Sequence, residues 1–157
     1  VVTATGLDLQ VLGGLEVIVD GARIDPAKTM SYKGLMYSGV PNLASATGYT
    51  NASWTLKCDL TCEYVCRLLN HMARTGLRQV TPRNDDPDIE RQPWLDFSSG
   101  YVQRAIEKFP KQGSKAPWKL HQNYALDLMS LRYARLEDGT LKFSNPKPAK
   151  ARARVAA

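Results

Sequence analysis

The chain has 157 residues, 43% of them apolar and 23% charged, the balance of a globular domain large enough to bury a core. No apolar run reaches the roughly 18 residues that a membrane-spanning helix needs. The formal charge of +6 belongs to one end: Lys142, Lys147, Lys150, Arg152 and Arg154 have no acid among them, so no basic nucleic-acid face is expected on the nearly neutral body.

The opening VVTATG (residues 1–6) predicts a buried strand closed by a glycine turn, with small residues where backbone can come close to another group. The run VVTATGLDLQ has neither a Met nor a basic leader, and it reads as cut from something longer. LEVIVDGARIDP follows. Its β-branched stretch 15–19, the Asp20-Gly21 pair and residues 22–24 predict a hairpin, ended by Pro26. Residues 33–37 predict a short strand, Ser38 to Asn42 a turn, and residues 43–47 a strand of small residues closing on Gly48.

The longest helix is predicted next, capped near Thr50, Asn51 or Ser53. Cys58, Cys62, Val65, Leu69 and Met72 recur at helical spacing and are read as its buried stripe, and Gly76 supplies the stop. Cys58, Cys62 and Cys66 share one side of that helix at i, i+4 spacing. They lack a His or fourth Cys for a zinc site, are too far apart for a relaxed disulfide, and read as small buried hydrophobes. An odd set of reduced thiols fits a cytoplasmic protein.

Residues 81–93 are proline-rich and acidic and predict a surface linker. Residues 98–109 predict a helix stopped by Pro110. The PKQGSKAPW loop lacks the frame of a phosphate-binding loop. Residues 117–132 predict a second helix with Pro117 in its first turn, and Asp138-Gly139 a turn into a terminal strand at 141–143. His71 and His121 stand outside any catalytic motif and are read as surface or structural. Asp85, Asp86 and Asp88 are read as a solvated loop rather than a cation site.

No nucleophile elbow, zinc motif or Walker loop occurs. Two glycine-ended strands remain, VVTATG and LASATG, the second leading into a helix N-terminus. Free N–H groups and the helix dipole there suit an anion or a ring that becomes anionic on reduction. Close helix–strand packing accounts for the same glycines.

On VVTATG, SGVPNLASATGYTNASWTLKCDL, DFSSGYVQRA and FPKQGSKAPWKLHQNY, the chain resembles the C-terminal part of the class B flavoprotein monooxygenases. These are the flavin-containing and Baeyer–Villiger monooxygenases, and the likeness is strongest to a bacterial branch labelled as flavoproteins involved in potassium transport. The residues give that label no support, since no ion-filter motif is present. The resemblance spans roughly residues 1–143. It implies FAD, NADPH and O2 as reactants and insertion of one oxygen atom into a small organic substrate. It places Thr5 and Gly6 near the flavin, has Gly48 permit close approach, and turns Thr50, Asn51 and Ala52 toward the flavin pyrimidine. Trp54 packs at the substrate side or in the core, and Lys57 faces solvent. The family's two GxGxxG fingerprints are missing, and its oxygen-chemistry residues lie upstream, so no catalytic residue is assigned and this chain alone is expected to be inactive.

The expected fold is mixed α/β: a small strand layer on a long central helix plus two C-terminal helices, an incomplete part of an FAD/NAD(P)-binding fold. Residues 1–80 are expected to be the end of the FAD-binding domain, 81–93 a linker, 94–143 a helical extension and 144–157 a disordered basic tail. The expected partners are the missing N-terminal portion of the same protein and a second copy through exposed apolar edges, with no nucleic acid and no membrane. A non-enzymatic binding module or a domain kept for oligomerisation are the alternatives.

Overall fold

The computed structural model describes residues 1–3, 6, 8–94 and 100–147. It mixes short strands with one long helix. The strands are β1 (Val17–Val19), β2 (Ala22–Ile24), β3 (Ser31–Tyr32), β4 (Met36–Tyr37), β5 (Gln79–Pro82), β6 (Arg91–Pro93), β7 (Lys111–Gly113) and β8 (Leu141–Ser144). The helices are α1 (Trp54–Thr75), α2 (Gly100–Ala105) and α3 (Tyr124–Asp127). Among the described residues the strands pair in antiparallel twos: β1 with β2, β3 with β4, β5 with β8, and β6 with β7, and Lys111 of β7 also makes a parallel bridge to Met30. Among the described residues no helix is long and apolar enough to cross a membrane.

The β1–β2 hairpin forms where expected. Asp20 (φ 51°) and Gly21 (φ 84°) take the two left-handed positions that a two-residue hairpin turn demands, and Val19 faces Ala22. The strand expected at 33–37 is instead a turn followed by β4, because Lys33 (φ 51°) and Gly34 (φ 75°) bend the chain and bring Tyr32 opposite Met36. The strand expected at 43–47 contributes a single bridge, Ala44 to Met36. Asn42 (φ 54°) ends the approach by acting as a strand edge itself. Its N–H donates to Val80 O (3.0 Å), its Oδ1 accepts from Val80 N (2.9 Å), and its Nδ2 donates to Arg78 O (3.0 Å). No strand forms at Val1–Thr3. Ala4 and Thr5 lie outside the described residues, as do Ser98 and Ser99 of the predicted 98–109 helix and residues 148–157 of the tail.

Helix α1 runs the full length read from its periodicity, and Gly76 stops it in a left-handed conformation (φ 68°), with the N–H groups of Gly76 and Leu77 both returning to Met72 O. Gly76→Ala is therefore expected to cost about 1–2 kcal/mol, the steric penalty of Cβ in that region, measurable as a lowered urea midpoint at unchanged m-value. The buried face is not the one expected. Lys57, Leu60, Thr61, Tyr64, Leu68 and Met72 point inward, whereas Leu69, Cys62 and Cys66 are exposed and Cys58 is half-buried. Positions 57, 61, 64 and 68 replace 58, 62, 65 and 69, a rotation of about 100°. The large Leu60, Tyr64 and Leu68 gain more by burial than three thiols do, and the polar atoms of Lys57 and Tyr64 find partners inside. The cysteine core stripe is thus overturned.

The core joins α1 to both ends of the chain: Met30, Tyr32, Leu35 and Met36 from the first hairpins, Val80 and Leu141 from β5 and β8, and Trp118 and Leu131. The helix expected at 117–132 is much shorter. Pro117 follows a cis peptide bond, and Trp118 is a buried plug (1% exposed) set edge-on to Tyr32 at 5.7 Å. Its loop is pinned by Gly113 N donating to Trp118 O and Lys33 N to Pro117 O, both 2.9 Å. Helical structure begins only at Asn123, whose Oδ1 accepts from Leu126 N (3.1 Å). After α3 the chain continues as a wide π turn, Leu128–Tyr133. Arg67 of α1 donates to the carbonyls of Leu131 and Ala134 at its end. The PKQGSK loop supplies β7, so its backbone is committed to β6. The acidic stretch is held by its own Asx turns, Asp88 N donating to Asp86 Oδ1 (2.9 Å), and no metal-holding cluster occurs among the described residues.

Candidate functional site

Residues 48–57, the loop into α1 and its first turn, border an open cleft of about 690 Å³. Five aromatic residues stand in its walls, Tyr37, Tyr49, Trp54, and Trp94 stacked on Phe109 (centroids 5.3 Å apart, planes 17° off parallel), beside aliphatic ones such as Leu9, Val11 and Val102. Gln10, Ser45, Thr47 and Thr50 supply polar atoms, and among the described residues no lysine, arginine, aspartate or glutamate lines it. Trp94 Nε1 is buried and has no hydrogen-bond partner among the described residues.

The loop is built around Gly48. A Cβ there would lie 2.2 Å from Trp54 Cδ2 and 2.7 Å from Trp54 Cα, so only glycine lets the chain turn under the indole that opens α1. Trp54 itself is 55% exposed and stands over the cleft rather than in the core. Thr50 and Asn51 both face Gln122. Thr50 N and Oγ1 donate to Gln122 Oε1 (3.1 and 3.2 Å), and Asn51 Nδ2 donates to Gln122 O (3.1 Å). Ala52 is exposed. Ser53 stands at the cap position of α1 without a side-chain capping bond. Gly6 (φ 82°) has open space around it, and Thr5 is outside the described residues.

Lys57 overturns its expected place in solvent. Its ammonium lies 2.8 Å from Asp127 Oδ2, both side chains 8% exposed, and Tyr49 OH donates to the same oxygen at 2.8 Å. The stem of Lys57 passes the Gly34 turn, where an added Cβ would come within 3.7 Å of Lys57 Cε. Burial pushes the Lys57 ammonium below its ordinary 10.5 against the opposing pull of Asp127. Burial also raises the Tyr49 phenol, assisted by its bond to Asp127. A cavity of about 20 Å³, room for one water, separates this group from Trp94 and His121. Lys57, Tyr49, Asp127 and Gln122 escaped the sequence reading because Asp127 lies 70 positions after Lys57. The one available signal was a lysine at a core-facing helical phase.

A second buried network sits behind it. Tyr32 OH donates to Asp138 Oδ2 (2.6 Å) and lies 3.0 Å from Tyr64 OH. Lys33 Nζ donates to Ser130 O (3.1 Å), and burial lowers its pKa. His71 is structural, its ring against Phe143 and Nε2 3.2 Å from Glu137. Burial raises the phenols of Tyr32, Tyr37 and Tyr49, and pushes that of Tyr64 to about 12. An unfolded tyrosine ionises near pH 10. Above that pH the unfolded chain holds fewer protons than the folded one, so stability falls as pH rises. The two depressed lysines act in the opposite sense only up to their unfolded 10.5. A tyrosinate absorbance titration is therefore expected to show these four of the seven tyrosines silent until alkaline unfolding exposes them together.

The cleft fits a flat, uncharged ring system. Among the described residues it offers a dinucleotide diphosphate neither a cation nor a glycine-rich cradle. The chain is 48% identical over 149 residues to "FAD-containing monooxygenase EthA" of Mycobacterium tuberculosis, covering 94% of this chain and 30% of that protein. It is 46% identical over 149 residues to the EthA of Mycolicibacterium smegmatis (95% and 30%). Against "Probable FAD-binding monooxygenase AlmA" of Acinetobacter baylyi it is 46% identical over 144 residues (91% and 29%). No family model matches the chain, and no solved structure does. The chain thus spans about 30% of the length of the curated relatives it matches. Along almost all of its own length it is similar to a segment of proteins named as FAD-containing or FAD-binding monooxygenases.

Proposed function

We propose that this chain is the C-terminal segment of a cytoplasmic, FAD- and NADPH-dependent monooxygenase that inserts one atom of O2 into a small organic substrate. The observation that carries the reading is the 48% identity over 94% of the chain to a protein named as an FAD-containing monooxygenase. Residues 1–80 complete the FAD-binding domain of the parent, and 94–143 extend it. Bound FAD, reduced by NADPH, supplies the electrons for oxygen activation; the rest of the polypeptide supplies the phosphate cradles and the oxygen chemistry, so the segment alone is inactive. On this side Gly48, Thr50, Asn51 and Ala52 would lie beside the ring, and Trp54, Trp94 and Phe109 would give it an aromatic wall. The described residues that line the cleft are uncharged and suit a neutral, apolar substrate, because a charged one would be desolvated beside them without a partner.

The test is to purify the full gene product carrying this segment, measure bound flavin by absorbance, and follow NADPH oxidation with small apolar ketones and sulfides. Yellow protein with substrate-dependent NADPH consumption is expected. A colourless product inert to NADPH overturns the reading.

A further inference from the structure

The loop 49–57 is held from one side by a single short segment, residues 122–127. Gln122 accepts from Thr50 N–H and Thr50 Oγ1 through its carboxamide, and from the Asn51 side chain through its backbone carbonyl. Asp127 accepts from Tyr49 OH and Lys57 Nζ, each at 2.8 Å. The gripped residues, Tyr49, Thr50, Asn51 and Lys57, bracket the start of α1. Gln122 takes a left-handed backbone (φ 48°), an uncommon conformation for a residue that is not glycine. That conformation is kept only where the surroundings over-determine it. Ser53 makes no capping bond, so besides the Gly48–Trp54 packing and the Ser53–Thr55 hydroxyl contact the loop is held by this segment.

We propose that Gln122 and Asp127 are positioning residues for the cofactor-facing loop, acting through Thr50, Asn51, Tyr49 and Lys57 rather than on substrate. This rests on the monooxygenase reading. It adds that residues about 70 positions downstream fix where the loop sits, since the Thr50 N–H, the Thr50 hydroxyl and the Asn51 carboxamide are spent on Gln122 and the ring would meet the loop only in the place that this grip sets.

The experiment uses the full-length protein with Gln122→Ala and Gln122→Glu. The alanine variant removes one acceptor of two hydrogen bonds at a half-buried position and is expected to fold. The glutamate variant keeps the acceptor oxygen. Three readouts are taken: hydrogen exchange at the Thr50 amide, flavin affinity with the absorbance spectrum of the bound flavin, and Tm. In Gln122→Ala, Thr50 exchange is expected to quicken and flavin affinity to fall, each by about tenfold, the worth of one to two net hydrogen bonds. The flavin spectrum shifts while Tm stays near wild type, and Gln122→Glu restores Thr50 protection. Unchanged Thr50 exchange in Gln122→Ala overturns the clamp. Faster exchange with unchanged or tighter flavin binding and an unchanged spectrum overturns its positioning role. A wild-type protein that binds no flavin sinks the monooxygenase reading instead, and the exchange measurement still decides the clamp.

Discussion

Replacing Asp127 by alanine is expected to cost the folded chain about 3–5 kcal/mol, the range for stranding one partner of a buried ion pair. The physical cause is the group left behind. Lys57 Nζ would lose its acceptor at 2.8 Å while remaining in a site where its side chain is 8% exposed, and Tyr49 OH would lose its acceptor as well. The loss should therefore exceed what the ion pair itself contributes. Adding Lys57→Met removes the stranded charge and keeps the apolar stem against Gly34, so the double variant is expected to recover most of the loss. Urea denaturation of the two single variants and the double one measures this. A loss under about 1 kcal/mol for Asp127→Ala would mean that the pair is solvated and that Lys57 is not held as described.

The second large effect is expected at Trp118. Its side chain is 1% exposed, lies edge-on to Tyr32, and fits so closely over Gly113 that a Cβ there would be 2.6 Å from Trp118 Cβ. Trp118→Ala empties a volume that the surrounding hairpins, pinned by backbone bonds at Lys33 and Gly113, cannot refill. A loss of about 3–5 kcal/mol is expected, with the packing of Tyr32 loosened. Trp118→Phe keeps a ring and should lose less. Denaturant midpoints for both variants check the order. Equal losses would show that the indole's size is not what the site uses.

Much of the local structure was legible because it rests on local chemistry. Asp20-Gly21 demands left-handed backbone and so makes a hairpin. Gly76 stops α1 for the same reason. Asp138-Gly139 turns the chain into β8. The resemblance carried by SGVPNLASATGYTNASWTLKCDL also pointed to the flavin-dependent monooxygenases before any contact was known. The features that went unread all depend on partners distant in the chain. Lys57 looked like a solvated residue because its carboxylate stands at position 127. The 117–132 helix was overextended because a tryptophan beside a proline carries no local sign that it will plug a core. The phase of α1 was misjudged by one residue because thiols and valine match the helical period as well as Leu60, Tyr64 and Leu68 do.

By itself, then, the sequence determined the turns, the length and end of the long helix, the position of the basic tail and the kinship of the chain. These follow from backbone conformations that only certain residues tolerate and from motifs read in a row. Only the tertiary structure decided which face of α1 is buried, that Lys57 and Asp127 pair beneath the loop at 48–53, and that Gln122 grips the donors of that loop. Periodicity establishes that a helix has faces. Which face turns inward is settled by the volume and hydrogen-bond partners that distant segments bring to it.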